Sequence, residues 1–450
     1  MRRVVRENAL CAVAAAAASA AMAWLGLYGY GWNDYENEAK PALDALTHGH
    51  VLEFLRLAPA YGGSLVERAP FALLPGLWGG GALAVYRMMA TPCLLAAASL
   101  GVWLCARMRA GGRPPLARAV ALGVCVANPL TLRALELGHP EELLGACLCI
   151  AAVVLAARDR PVWAGALLGL AIANKEWAVL AAGPVLLALG GRALNPGPID
   201  AAKVRAGVSV ARRRLLCTAS AVTVSVVALA PLALASPAGF AAGTRGAAVA
   251  QSAIFQPWQA WWFLGRHGGL VHGLFGAPKP GYRIGPAWTS AISHPLIVVA
   301  GLGLAGALWL TRRRRRGAGT VSERDALLAL ALVLLMRCVL DTWDTAYYAL
   351  AFVLALLAWE ALGQSAHPPV LALTSTVLAW LDCQWLPAHG ASPDVQAGMF
   401  LAWTLPLAAG LALRLYAPEP ASRILAGVAR PAPGARPAGD VGAPAGSQPA

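Results

Sequence analysis

The sequence predicts an all-α fold, a polytopic transmembrane helical bundle, and three observations predict it. The chain is 58% hydrophobic and only 13% charged, about half the charge of an ordinary soluble domain. Its mean hydropathy is +0.59. Apolar windows of about 20 residues, the length that crosses roughly 30 Å of hydrocarbon, recur from end to end of the 450 residues. A net charge of +14 would point to nucleic acid in a soluble protein. In a membrane protein the distribution of charge over loops matters more than its sum, and no nucleic-acid partner is expected.

Twelve segments read as spans: 9–31, 82–106, 117–134, 142–157, 162–174, 177–190, 215–236, 288–311, 326–341, 345–362, 368–386 and 398–416. The first 23 residues also fit a signal peptide with a small-residue cleavage site. The apolar run nevertheless continues through Trp24 to Tyr30, long enough to span, and in either case the chain after Tyr30 lies outside. The fifth and sixth segments are short and read as half-helices broken at "ANKEW", 173–177. With the N-terminus inside, Arg2, Arg3, Arg6, Arg107, Arg109, Arg113, Arg118, Arg158, Arg160, the "RRR" at 212–214 and the "RRRRR" at 312–316 all fall on inner loops. That assignment puts 25 of the 36 basic and 8 of the 22 acidic residues inside, the asymmetry of a cytoplasmic face.

Two outer loops are long, about 32–81 and about 237–287, and loops of that length are usually functional or disordered. Both carry aromatic, proline-flanked apolar patches such as "FQPWQAWWFLG" (255–265), so interfacial or re-entrant helices are expected there. Trp258, Trp261 and Trp262 would then sit at headgroup level. The membrane domain is expected to occupy 1–417, with a disordered, Ala/Pro-rich cytoplasmic tail over 418–450. The nine cysteines are scattered through apolar runs without a CxxC pair or a Cys/His cluster. They read as small core residues, with neither a disulfide framework nor a metal site expected.

Polar groups at membrane depth are costly and tend to mark function, and here they gather at the outer ends of helices. Asp34, Glu36 and Glu38 follow the first span. "ELGHPEE" (136–142) is the turn between the third and fourth, "NKEW" (174–177) the break between the fifth and sixth, and "RCVLDTWDTAYY" (337–348) the turn between the ninth and tenth. Each piece alone has a structural reading. The first acids suit a solvated turn, His139 a turn cap, and Lys175 a snorkelling side chain or a partner of Glu176. Arg337 and Asp341 have the i, i+4 spacing of a helical ion pair, and Tyr347 and Tyr348 suit an interfacial belt. Their coincidence on one face, beside two loops able to roof it, carries the functional reading.

The stretch 127–187, "ANPLTLRALELGHPEELLGACLCIAAVVLAARDRPVWAGALLGLAIANKEWAVLAAGPVLL", resembles the middle of polyprenol-phosphate-dependent glycosyltransferases of the GT-C type. Within them it is most similar to the family 87 mannosyltransferase-like membrane proteins of actinobacteria. The features carrying the resemblance are Asn128 and Pro129, Gly138 and His139, Gly169 and Leu170, and Lys175 closing the fifth span. "RCVLDTWDTAYYALAFVLALLAWE" is similar to the family's later Arg, Leu-Asp, Tyr-Tyr segment, and the likeness covers about 30–390. One departure stands out: Asp34 is followed by Tyr35 rather than by a second acid.

The resemblance implies a GT-C bundle and a hexosyltransferase of the cell envelope, in a bacterial cytoplasmic membrane with its active site on the outer face. It would move a sugar, mannose by family analogy, from a polyprenyl-phosphate donor to a glycolipid or glycan acceptor. A leaving phosphate needs positive charge rather than a proton, and an acceptor hydroxyl needs a base, so no cofactor or metal is required. On this reading Asp34 is the base, with Glu36 its rival. Lys175, Arg337 and His139 contact the donor phosphate, and Arg266, Arg283 and His294, in or beside the second long loop, are further candidates. Trp32, Tyr35, Trp258, Glu141, Asp341, Tyr347 and Tyr348 line the substrate site. Two alternatives stay open: a secondary transporter, against which stand the missing internal repeat and the apolar mid-spans, and a non-catalytic lipid- or glycan-binding relative.

Overall fold

A computed structural model describes residues 2–26, 34–59, 62–189, 201–248, 255–267, 270–272, 278–316, 321–363 and 367–417. Trp32 and the tail from 418 lie outside the described residues. The chain is a helical membrane protein. Five helices are long and apolar enough to cross a bilayer: Ala82–Ala110, Pro115–Leu137, Ser209–Ala235, Ala287–Arg314 and Pro393–Tyr416. Four shorter apolar helices accompany them, at Ala9–Leu25, Pro161–Asn174, Glu176–Ala188 and Ala346–Ala361.

In chain order, α1 (Arg2–Leu25) leads through a π-helical turn, Tyr35–Ala39, into three short helices of the first long loop. These are α2 (Lys40–Thr47), α3 (Val51–Leu57) and α4 (Gly63–Leu73). They share a small core of Tyr35, Leu43, Phe54, Leu65, Tyr86 and Met89, which fastens the loop to the start of α5 (Ala82–Ala110). Next come α6 (Pro115–Val126) and α7 (Pro129–Leu137), parted by Asn128. Its side chain accepts from Leu130 N at 2.9 Å, and Pro129 fills the first helical turn, where a missing N–H costs nothing.

The middle of the chain supplies α8 (Glu141–Ala157), α9 (Pro161–Asn174), a 3-10 stretch Glu176–Ala181, α10 (Ala182–Ala188) and α11 (Ala201–Ala235). Gly165 and Gly169, four apart on α9, face the Cys217 and Ala221 carbonyls of α11 so closely that neither has room for a Cβ. This is the small-residue packing membrane helices use where no hydrophobic effect drives them together. Ser220 and Ser225 tie the pair by donating to the Val162 and Gly169 carbonyls at 2.9 and 3.0 Å.

The second long loop departs from the expectation of helices alone. After α12 (Pro237–Ala248) it forms two short antiparallel pairs, β1 (Arg266–His267) with β4 (Arg283–Ile284) and β2 (Leu270–His272) with β3 (Pro278–Pro280). The run "RHGGLVHGLFGAPKPGYRI" is too rich in Gly and Pro for a helix, and Gly281 takes a positive φ of 77° beyond β3. The chain ends with α13 (Ala287–Arg316), α14 (Glu323–Leu340), α15 (Ala349–Ala361), α16 (Val370–Trp380), the single turn α17 (Leu386–Ala388) and α18 (Pro393–Tyr416).

The core runs through α5 to α10, α14 and α15. Every residue of α15 except Glu360 is buried. On the outside, α11 exposes Leu215, Val226, Val227 and Leu234, α13 exposes Val299 and Leu302, and α18 exposes Leu405 and Leu413. Exposed apolar faces on helices of membrane length are what a lipid solvent selects.

Candidate functional site

Three helix ends and one loop bring charge together. Gly138 closes α7 with a φ of +88° and turns the chain so that His139 faces inward before Pro140 starts the next helix. A Cβ on Gly138 would stand 2.6 Å from the Tyr35 backbone nitrogen, so the π-helical turn that carries Asp34 lies directly on this glycine. Gly138→Ala should therefore cost about 1–2 kcal/mol in left-handed strain and displace Asp34 as well. A lowered melting temperature together with altered Asp34 accessibility would register both effects.

His139 is bound at both ring nitrogens. Nε2 lies 3.3 Å from the Asp34 carboxylate and Nδ1 lies 2.8 Å from Glu141 Oε1, the pattern of an imidazolium donating twice. Glu141 also takes Lys175 Nζ on Oε1 at 3.2 Å and Arg68 Nη2 on Oε2 at 3.3 Å. Arg68 is fixed by Ser64 and by the Met89 carbonyl. Lys175 is in extended backbone where α9 has ended, and Asn174 beside it donates to the Glu141 carbonyl at 2.9 Å. Glu142 pairs with Arg337 Nη1 at 3.3 Å, and the Arg337 guanidinium stacks on Tyr348 and Trp177 at 4.1 and 4.8 Å. Buried charges are tolerated only when compensated in this alternating way.

Burial and Lys175 both press His139 toward its neutral form, but its bonds to Asp34 and Glu141 outweigh them and hold its pKa up, from 6.5 to about 9. Folded protein thus binds this proton more tightly than unfolded chain. The stabilisation is fully present below about 6.5 and is lost as pH rises through about 9. Melting temperature should fall across that window, and His139→Gln should flatten the profile. Asp344, missed as a site residue although it stands in the quoted turn, is buried. Burial, with Asp341 beside it, pushes its carboxyl well above the usual carboxylate range.

Asp34 differs from the other carboxylates. Its side chain is 28% open, against 1% for Glu141 and for Glu142. Glu36 is more open still, at 42%, and lies 4.0 Å from Lys40 Nζ. Tyr35 is buried against Tyr86, ring centroids 4.4 Å apart, and so is packing rather than an open sugar platform. Tyr347 is buried beside the His139 ring at 4.9 Å and touches Tyr348 at 5.2 Å.

Two expected pairings are replaced. Lys175 goes to Glu141 rather than Glu176. Asp341 caps α14 in extended backbone, which takes it off the helical face it would share with Arg337. It accepts from Trp343 N at 2.9 Å and lies 3.6 Å from His294 Nε2.

The second long loop contributes differently from expectation. Arg266 is exposed on β1. Arg283 is held by Asp394 at the start of α18, 3.0 Å away, and Trp262 donates to the same carboxylate at 2.7 Å. Trp258 and Trp262 are buried in protein, and Trp261 donates to the Leu340 carbonyl at 2.7 Å, so these indoles bind the loop to α14 and α18. Among the described residues no group of three or more His, Cys, Asp or Glu side chains is placed to hold a metal ion.

Sequence reasoning missed Arg68. It sits on α4 in "VERAPF", where no pattern separates it from a solvated arginine, and its partner Glu141 is 73 residues away. Comparison with protein-family models, curated proteins and solved structures finds no match to the chain.

Proposed function

We propose that this protein is an integral membrane glycosyltransferase with a GT-C-type bundle of twelve spans, acting at the outer face of a bacterial cytoplasmic membrane. It moves a hexose, mannose on the family resemblance, from a polyprenyl-phosphate donor to a glycolipid or glycan acceptor. One observation carries the reading: the partly open Asp34 carboxylate lies 3.3 Å from the charged His139, at the edge of a buried set of cations that two sealed carboxylates hold in place. A base and an electropositive wall side by side are what transfer from a lipid phosphate needs.

In the reaction the acceptor hydroxyl oxygen attacks the anomeric carbon and its proton passes to Asp34. The bond from that carbon to the phosphate oxygen breaks, and its electron pair leaves with the polyprenyl phosphate, so no leaving-group proton is needed. His139 and Lys175 face the departing charge, and preorganised positive charge in a dry site is worth far more than in water. Arg68 and Arg337 act one step behind, through Glu141 and Glu142. By the family resemblance alone, the displacement is expected to invert the anomeric centre.

The test supplies radiolabelled polyprenyl-phosphate mannose to membranes from cells with and without the expressed protein and resolves labelled lipids by chromatography. A product made only with the protein is the expected result. No transfer from polyprenyl-phosphate mannose, glucose or arabinose at verified expression would overturn the reading in favour of a binding or transport protein.

A further inference from the structure

The opposite end of the bundle holds a second cluster, in which arginines outnumber carboxylates. It lies at the far ends of α14 and α15 from Arg337 and Tyr348, about 20 Å along the helices at 1.5 Å per residue. Arg113, Arg324 and Arg414 converge there on the C-terminus of α15. Buried Arg113 donates to the Glu360, Gly363 and His367 carbonyls at 3.3, 3.0 and 2.6 Å, and its Nε is without a partner among the described residues. Arg324 lies against Gly363 and stacks on Trp359 at 5.1 Å, with one long bond, 3.5 Å, to the Trp359 carbonyl. Arg414 stacks on the same indole at 4.9 Å.

Capping the α15 carbonyls accounts for Arg113, but not for the other two. Arg414 is exposed and makes no hydrogen bond or ion pair among the described residues. Two of the acids at this end, Asp325 and Glu360, are already engaged. Asp325 pairs with Arg312 at 3.0 Å, and Glu360 spends both oxygens on the Leu371 and Ala372 amides at the start of α16, at 3.1 and 2.8 Å. Arg113, Arg324 and Arg414 are thus left to share the charge of Glu360, and like charges in excess of carboxylate cost free energy unless an anion completes them.

We propose that Arg113, Arg324 and Arg414 form a phosphate-binding site at the arginine-rich end of the bundle, filled by the headgroup of an anionic phospholipid. Guanidinium forks match phosphate oxygens in pairs, and stacking on Trp359 leaves the donor edges available. Placement favours a lipid source. The site stands where apolar helices end, and α18 carries exposed Leu405 and Leu413 toward it. Basic pockets between membrane helices hold anionic headgroups for the same reasons. This inference is independent of the transferase reading.

The test uses the full-length protein, delipidated in dodecyl maltoside. It is titrated separately with dihexanoyl phosphatidylglycerol, dihexanoyl phosphatidylcholine and inorganic phosphate while the melting temperature is followed. Phosphatidylglycerol should raise the melting temperature saturably. Arg414→Gln should weaken the midpoint about tenfold, the loss expected for one charge-assisted contact, and Arg324→Gln with Arg414→Gln should abolish the response. Arg160→Gln, which removes a charge from another basic loop, should leave it unchanged. Because Arg414 is exposed and makes no hydrogen bond or ion pair among the described residues, its variant tests binding without unfolding the chain. Inorganic phosphate reproducing the effect at the same midpoint would keep the arginine site and overturn the lipid as its source. An equal response to phosphatidylcholine, or an unchanged response in the double variant, would overturn the site itself.

Discussion

Asp34→Asn is expected to lower sugar transfer by about 10²–10⁴, the usual worth of a positioned general base, at unchanged expression and with only a small fall in melting temperature, because His139 keeps Glu141. Asparagine keeps the shape and one acceptor oxygen for His139 Nε2, now 3.3 Å from the carboxylate, so the π-helical turn stays on Gly138. What disappears is the ability to take a proton from the acceptor. Membranes carrying equal amounts of each protein, supplied with the same labelled donor, give the comparison directly. Transfer surviving in Asp34→Asn would move the base to Glu36, whose own Gln variant then becomes the deciding measurement.

Glu141→Ala is expected to be the most destabilising single change at the site. It strips a partner from His139, Lys175 and Arg68 together, all of them buried. Breaking one buried pair costs about 3–5 kcal/mol, a large share of the roughly 5–15 kcal/mol that keeps a folded domain folded. Little monodisperse protein should survive detergent extraction, and what survives should melt far below wild type. Glu141→Gln retains the shape and two acceptor sites and should recover part of that loss. A wild-type melting temperature in Glu141→Ala would mean that water reaches the three cations and that the site is far wetter than its burial indicates.

The helical, membrane-bound character was legible because hydrocarbon length is written directly into apolar runs such as 82–106. So was the break at 173–177, where the polar "NKEW" ends α9, but the parting of α6 from α7 at Asn128 and Pro129 falls inside the single span expected over 117–134. The segments holding Asp34, His139, Glu141 and Lys175 stood out because charge is conspicuous in an apolar chain. Pairings were not legible. Arg337 meets Glu142 across 195 residues, and no local rule links them, whereas the local i, i+4 rule offered Asp341 instead. That rule failed because α14 ends at Leu340 and Asp341 leaves the helix. Arg68 was hidden for a related reason, since an arginine in an amphipathic loop helix looks solvated until its partner is known. The hairpins of the second loop were hidden by its tryptophans, which drew attention to headgroup anchoring while the Gly/Pro spacing after Gly265 pointed to turns.

The distance along the chain between Glu142 and Arg337 also sets a timetable. At 5–20 residues per second, the 195 residues between the two partners take roughly 10–40 s to synthesise. Arg68 is already made when Glu141 emerges, but Glu142 enters the bilayer with Arg337 still unmade, and the groove that α14 and α15 will fill stays open beside it. A nascent chain stopped before α14 is therefore an incomplete bundle with an unmatched buried acid. During that interval it is a natural substrate for membrane chaperones and intramembrane proteases, and arrest of translation within 143–336 should expose it to both.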